Sequence, residues 1–233
     1  FEYAAEWISH GIELSPIQLP LARGVSAGPD PKRLHGLHGL FADSLPDYWG
    51  TRIIDSAFSR YGISRDAIGP LDRLSYLGDS TMGALTYEPS PKPTHDSTAD
   101  LDTLAAEADA FAAGAPQATA ALDDLQRAAG SAGGAQPKVL GGISADGSFH
   151  PGVAPPGEYK PVLIKFTPNE NVPGIRADSG VLELAYSRMA AEAGVKVPHA
   201  FLVRTSDGRG HFTVHRFDRF ADGRRRHVHT LGE

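Results

Sequence analysis

Two short stretches in the second half of the chain carry the residue types that could do chemistry. The first is AAGSAGGAQPKVL, Ala128 to Leu140, in which glycine and alanine flank Ser131. Nothing bulky there prevents backbone N–H groups from closing on an oxyanion, which is the physical requirement for cradling phosphate. The second is PVLIKF, Pro161 to Phe166, an apolar run with one cation, Lys165. A lysine inside such a strand costs free energy unless its ammonium meets an anion. Glu183, early in the next helical segment, has two readings. It is either the partner that holds Lys165 toward phosphate or an exposed first-turn acid favoured by the helix dipole, and the residues alone favour the second. Ser131 divides the same way, between a turn hydroxyl and a hydroxyl beside a phosphate.

Glycine loop, strand, hairpin and lysine-bearing strand follow one another in the order in which a kinase-like small lobe presents a nucleotide's phosphates. GSAGGAQPK nevertheless matches neither the P-loop pattern nor the glycine motif of eukaryotic kinases. His215-Arg216-Phe217-Asp218-Arg219 closes the last hairpin and reads as an edge segment with an Arg–Asp pair and one buried phenylalanine. His227 and His229 share a strand face, and His35 and His38 lie in a Gly-Leu repeat, but no third ligand has metal-site spacing, so no metal centre is expected. No serine, histidine and acid set forms a nucleophile elbow, so hydrolase chemistry has no support. Arg224 to Arg226 beside Asp222-Gly223 reads first as a solvated turn and second as an anion site.

A chain of 233 residues with 41% hydrophobic content can bury a substantial core. With no cysteine it has neither a disulfide framework nor thiolate chemistry, which fits a reducing cytoplasm. No apolar run approaches the roughly 20 residues that span a bilayer, and FEYAAEWISHGIEL lacks the regions of a signal peptide. The expectation is therefore a cytoplasmic protein without a membrane partner. A formal charge of -6 argues against a mainly electrostatic nucleic-acid binder.

The elements that must position these residues fall into two units, 1–90 and 99–233, joined by a linker at 91–98 whose surroundings, PSPKPTHDST, cannot assemble a core. In the first unit, Glu13 to Leu21 alternates but holds Pro16 and Pro20, so it reads as an edge strand or an extended rim and not as a central strand. Apolar residues from Leu37 to Phe58 recur at helical spacing with a break near Pro46, Pro70 opens a further helix, and Thr81 to Tyr87 reads as a strand entering a sheet through Gly83. In the second unit, Asp100 to Ala113 and Thr119 to Ala129 are alanine-rich helices. Strands are expected at Val139 to Ile143 and Tyr159 to Phe166, the first followed by the Asp146-Gly147 turn. A helix from Gly180 to Ala193, which Ser179 can cap, has Leu182, Ala185, Tyr186 and Met189 as its expected buried stripe. Phe201 to Thr205 and His211 to Phe217 form a second hairpin. Two hairpins around one helix give a small antiparallel sheet with one face covered and a cleft along the other.

In combination these stretches resemble the HipA-like serine/threonine kinases, toxins of bacterial type II toxin–antitoxin modules. The resemblance is carried by LSPIQLPL (Leu14 to Leu21), LFADSLPD (Leu40 to Asp47), LGDSTMGALTY (Leu77 to Tyr87), GSAGGAQPK (Gly130 to Lys138), LIKF (Leu163 to Phe166), LELAYSRMAAEAGVKVP (Leu182 to Pro198) and HRFDRF (His215 to Phe220). It implies an α+β fold, a small mixed barrel-like amino-terminal subdomain packed on a protein-kinase-like small lobe with an antiparallel sheet. It implies ATP and Mg²⁺ as cofactors, with Ala132, Gly133 and Gly134 over the phosphates, Lys165 in contact with them, Glu183 facing that lysine, and the main chain of His215 and Phe217 at adenine. Ser131 matches a serine whose autophosphorylation disorders the loop and switches the kinase off. The implied partners are a dimeric helix-turn-helix antitoxin of the HipB kind, through which alone DNA is met, and a protein substrate such as an aminoacyl-tRNA synthetase.

The sequence departs from the pattern in two places. Pro137 stands where some relatives have an acid. Set against the family pattern, a chain running from Phe1 to Glu233 is expected to lack the family's first strands and the large lobe that the resemblance implies would carry the catalytic and metal-binding aspartates. The expectation is that no catalytic residue lies in this chain and that it is inactive as printed. The alternative reading is a naturally short, non-catalytic module that binds an antitoxin or a kinase subunit.

Overall fold

The computed structural model describes residues 1–91, 97–115, 120–153, 157–220 and 222–230. Most of the expected linker, residues 92–96, and Thr119 at the start of an expected helix lie outside the described residues. The chain divides into two compact units, one of Phe1–Leu45 with the last segment from His229, the other of Pro46–Val228. This division falls some way before the boundary near residue 90 that composition suggests.

The first unit holds α1 (Ala5–His10), a 3-10 turn at Leu34–Gly36 and α2 (Gly39–Ala42). Its described residues form isolated bridges, Glu2 with Val25 and Ser15 with Leu19, and no longer strand. The expected edge strand at Glu13 to Leu21 is a turn: the Leu19 N–H donates to the Ser15 carbonyl at 2.8 Å, and the prolines at 16 and 20 cannot donate to a ladder. Buried Tyr3 secures it by donating to the Leu19 carbonyl at 2.6 Å.

The second unit is mixed α and β. Four helices come first: α3 (Tyr48–Ser59), α4 (Pro70–Leu77), α5 (Leu101–Ala112) and α6 (Ala120–Ala128). Strands β1 (Lys138–Ile143), β2 (Phe149–Pro151) and β3 (Lys160–Lys165) follow, then α7 (Ser179–Glu192), β4 (Ala200–Arg204) and β5 (Gly210–His215). The strands make a five-stranded sheet in the order β2-β1-β3-β5-β4, every neighbouring pair antiparallel. One face is dry: Val139 and Ile143 of β1 and Val162 and Ile164 of β3 pack with Trp49 and Ile53 of α3, Leu104 and Phe111 of α5, and Leu122 and Leu125 of α6. Side chains alternate across a strand, so the intervening residues, Lys138, Leu140, Leu163 and Lys165, belong to the opposite face.

Helix α7 is tied to that face. Its first turn is held by Thr167, whose Oγ1 accepts the Gly180 N–H at 3.2 Å and donates to the Gly210 carbonyl at 2.7 Å. Contrary to the expected stripe, Leu182, Tyr186 and Met189 are exposed, and the buried residues are Gly180 and Leu184. A Cβ on Gly180 would lie 2.2 Å from the Gly210 carbonyl oxygen, so the helix meets the sheet through a residue without a side chain. The expected strand at Thr81 to Tyr87 is also absent. Gly83 has φ +78°, and the polar backbone groups there bond to side chains rather than to a neighbouring strand.

Candidate functional site

Lys138 and Lys165 are directly paired in the β1–β3 ladder, so two cations sit side by side on the face that carries α7. Lys165 Nζ donates to Glu183 Oε2 at 2.6 Å, with both side chains about one-third exposed, and lies 5.7 Å from the centre of the Phe212 ring. Lys138 is buried and turns into the glycine loop, donating to the carbonyls of Gly133 at 2.7 Å and Gly134 at 3.0 Å. Burial first, and then the charge of Lys165, push its ammonium down to about 8.

The loop itself has a buried root and an exposed crest. Ser131 and Ala132 are buried, while Gly133 and Gly134 are exposed. Ser131 Oγ accepts the Met82 N–H at 2.6 Å. At the crest the Gly134 N–H donates to Asp47 Oδ2 at 2.7 Å. Asp47 reaches this point because Trp49, two residues on in α3, donates its indole N–H to the Lys138 carbonyl at 2.9 Å, fixing the helix start against the loop's exit. Both glycines are required by these contacts. A Cβ on Gly133 would meet Asp47 Oδ2 at 2.8 Å, and Gly134 has φ +102° with Lys138 Nζ 3.1 Å from its Cβ position.

His215 ends β5, its ring 5.0 Å from that of His199 and 5.6 Å from that of Phe201, and burial together with the neighbouring His199 lowers its pKa. It pairs with Val162, whereas Lys165 pairs with Phe212, so the connector and the lysine stand about 10 Å apart along the strands. Phe217 is half-exposed rather than buried. Between and after them, Arg216, Asp218 and Arg219 form a closed cluster. The fully buried Asp218 carboxylate accepts from Arg216 Nε (3.0 Å) and Nη2 (2.7 Å), Arg219 Nη1 (2.7 Å) and the Gly83 N–H (2.7 Å). The two arginines also donate to the Thr81 carbonyl, at 2.9 and 2.7 Å. Burial opposes ionisation of Asp218, but the Arg216 hydrogen bonds and the two guanidinium charges together hold its pKa below the usual carboxylate range.

The structure thus brings Ser131, Ala132, Gly133, Gly134, Lys165 and Glu183 to one end of one sheet face, and leaves His215 and Phe217 at the other end of the same strands. It adds Asp47 and Lys138, which sequence reasoning passed over. Lys138 could have been found from the β1–β3 register, which sets it opposite Lys165. Asp47 gave no local sign, being 87 residues from its partner. Among the described residues no group of three or more His, Cys, Asp or Glu could hold a metal ion, and no helix is long and apolar enough to cross a membrane.

Fold and site define a mixed α+β protein whose open antiparallel sheet carries a lysine–glutamate pair beneath a glycine loop. Residues 1–88 match the HipA N-terminal domain, and residues 130–233 match the HipA-like C-terminal domain. No curated protein matches the chain. The chain belongs to the HipA-like proteins, a family of kinase toxins that pair with antitoxins.

Proposed function

We propose that this chain is the amino-terminal unit and the nucleotide-holding small lobe of a HipA-like serine/threonine kinase that transfers phosphate from ATP–Mg²⁺ to a protein serine and to its own Ser131. The observation that carries this reading is the 2.6 Å contact from Lys165 to Glu183 on β3 and α7, directly beside the glycine loop. An ammonium fixed by one carboxylate, its other two N–H groups without a partner among the described residues, can orient a polyphosphate. Backbone amides of Ala132, Gly133 and Gly134 supply further donors, and the base would lie at His215, about 10 Å away along the strands, and at Phe217 two residues past the end of β5. Mg²⁺ would neutralise the phosphates, on ligands outside those named here.

The same proposal includes a small mixed barrel-like subdomain over residues 1–90, a HipB-like helix-turn-helix antitoxin as partner, DNA contact only through that antitoxin, a cytoplasmic setting, and a protein substrate of the aminoacyl-tRNA synthetase kind. The test uses the full-length natural protein. After incubation with ATP–Mg²⁺, phosphopeptide mapping is expected to find phosphate on Ser131, and Lys165→Ala is expected to lose at least about 100-fold in transfer while its melting temperature moves by no more than about 4 °C. An unmodified Ser131, or full activity of Lys165→Ala, overturns the reading.

A further inference from the structure

Asp47 stands at the N-cap of α3, where an aspartate ordinarily accepts N–H groups of its own helix. It makes no such bond. Its carboxylate instead accepts the Gly134 N–H at 2.7 Å, at the exposed crest of the glycine loop. From below, Lys138 holds the carbonyl of that glycine and of Gly133 before it. The loop is therefore gripped on its N–H side by an anion and on its C=O side by a cation, both belonging to the protein. An N–H donor that already serves a carboxylate is not free for a phosphate oxygen, and a negative charge at that spot repels a polyphosphate.

We infer that Asp47 is a resident stand-in for phosphate, keeping the glycine loop closed over the buried Ser131 until a nucleotide's phosphate takes the Gly134 N–H from it. This rests on the nucleotide reading given above for its competitor, but the tie between Asp47 and the loop is testable without it. Because the contact is exposed, its strength is modest and a ligand can displace it. Asp47 is thus a residue that sets nucleotide affinity and access to Ser131 without taking part in transfer.

The experiment compares the full-length natural protein with its Asp47→Ala and Asp47→Asn variants by hydrogen–deuterium exchange over residues 131–138 and by titration with ATP–Mg²⁺. Asp47→Ala is expected to raise exchange at the loop and to tighten ATP binding, each by about fivefold, the worth of one modest hydrogen bond. Asp47→Asn keeps an accepting oxygen but loses the charge, so loop protection is expected to persist while ATP binds more tightly than to the wild type. Unchanged loop exchange in Asp47→Ala overturns the tie. Raised exchange with equal or weaker ATP binding overturns the competition, since Asp47 then shapes the loop for phosphate. If no form binds ATP, the nucleotide reading and the competition fall together, and the exchange data still decide the tie.

Discussion

Two clusters in the second unit are made of the same kinds of group, a carboxylate against cations, and use them in opposite ways. At Asp218 the carboxylate is fully buried and accepts four hydrogen bonds, from Arg216 twice, Arg219 and Gly83, so its lone pairs are filled by the protein. At Lys165 a single bond goes to Glu183, both side chains remain about one-third exposed, and two of the three ammonium donors have no partner among the described residues. The first cluster binds distant segments, Thr81 and Gly83 with Arg216 to Arg219, and its carboxylate has no acceptor capacity left for a ligand. The second has capacity left over, and contributes little to stability. Saturation of donors and acceptors, rather than charge, separates the cluster that builds the fold from the one available for chemistry.

The largest effect that would break this comparison is at Asp218. Asp218→Ala leaves two guanidinium groups in a buried site without their anion and is expected to cost about 3–5 kcal/mol, read as a drop in the urea midpoint. A loss below 1 kcal/mol would mean that the cluster does not hold the fold. A somewhat smaller effect comes from acid. His211 is fully buried; its Nδ1 accepts the Thr167 N–H at 3.0 Å, which leaves Nε2–H to donate to Thr205 Oγ1 at 3.0 Å. Burial foremost, with the charge of Arg209, pushes its pKa down to about 4. The unfolded chain takes up this proton near pH 6.5 and the folded chain only near pH 4. The contribution to stability is therefore whole above about pH 6.5 and falls as pH drops toward 4, by at most about 3 kcal/mol. Urea titrations at several pH values should show this slope, and His211→Gln should flatten it. The smallest effect sharpens the contrast from the other side: Lys165→Ala and Glu183→Gln are each expected to move stability by no more than about 1 kcal/mol, because the pair is partly exposed.

Much of the sheet was legible in the sequence because short apolar runs bounded by turn residues leave few alternatives. Val139 to Ile143, the Asp146-Gly147 turn and the second hairpin each fall within a residue or two of β1, its turn, and β4 with β5. The start of α7 was also near its expected place, but its buried face was not. Periodicity chose Leu182, Ala185, Tyr186 and Met189 because they are apolar, whereas the contact is made by Gly180 and Leu184, and hydrophobicity gives glycine no weight as a packing surface. TMGALTY failed as a strand for a different reason. It reads as a strand in isolation, yet the side chains of Arg216, Asp218 and Arg219, more than 130 residues away, compete for its backbone groups. The site shows the same limit: lysine and glycine loop were visible as local patterns, and Asp47 was not, since its role exists only once α3 and β1 are joined by Trp49.

Gly180 has one more consequence. With the Gly210 oxygen 2.2 Å from where a methyl carbon would sit, even alanine would act as a shim between α7 and the edge of β5. Glu183 rides one turn further along the same rod, so lifting the rod's foot lengthens its reach to Lys165. The separation of that acid and base is thus calibrated by a single hydrogen atom standing in for a side chain.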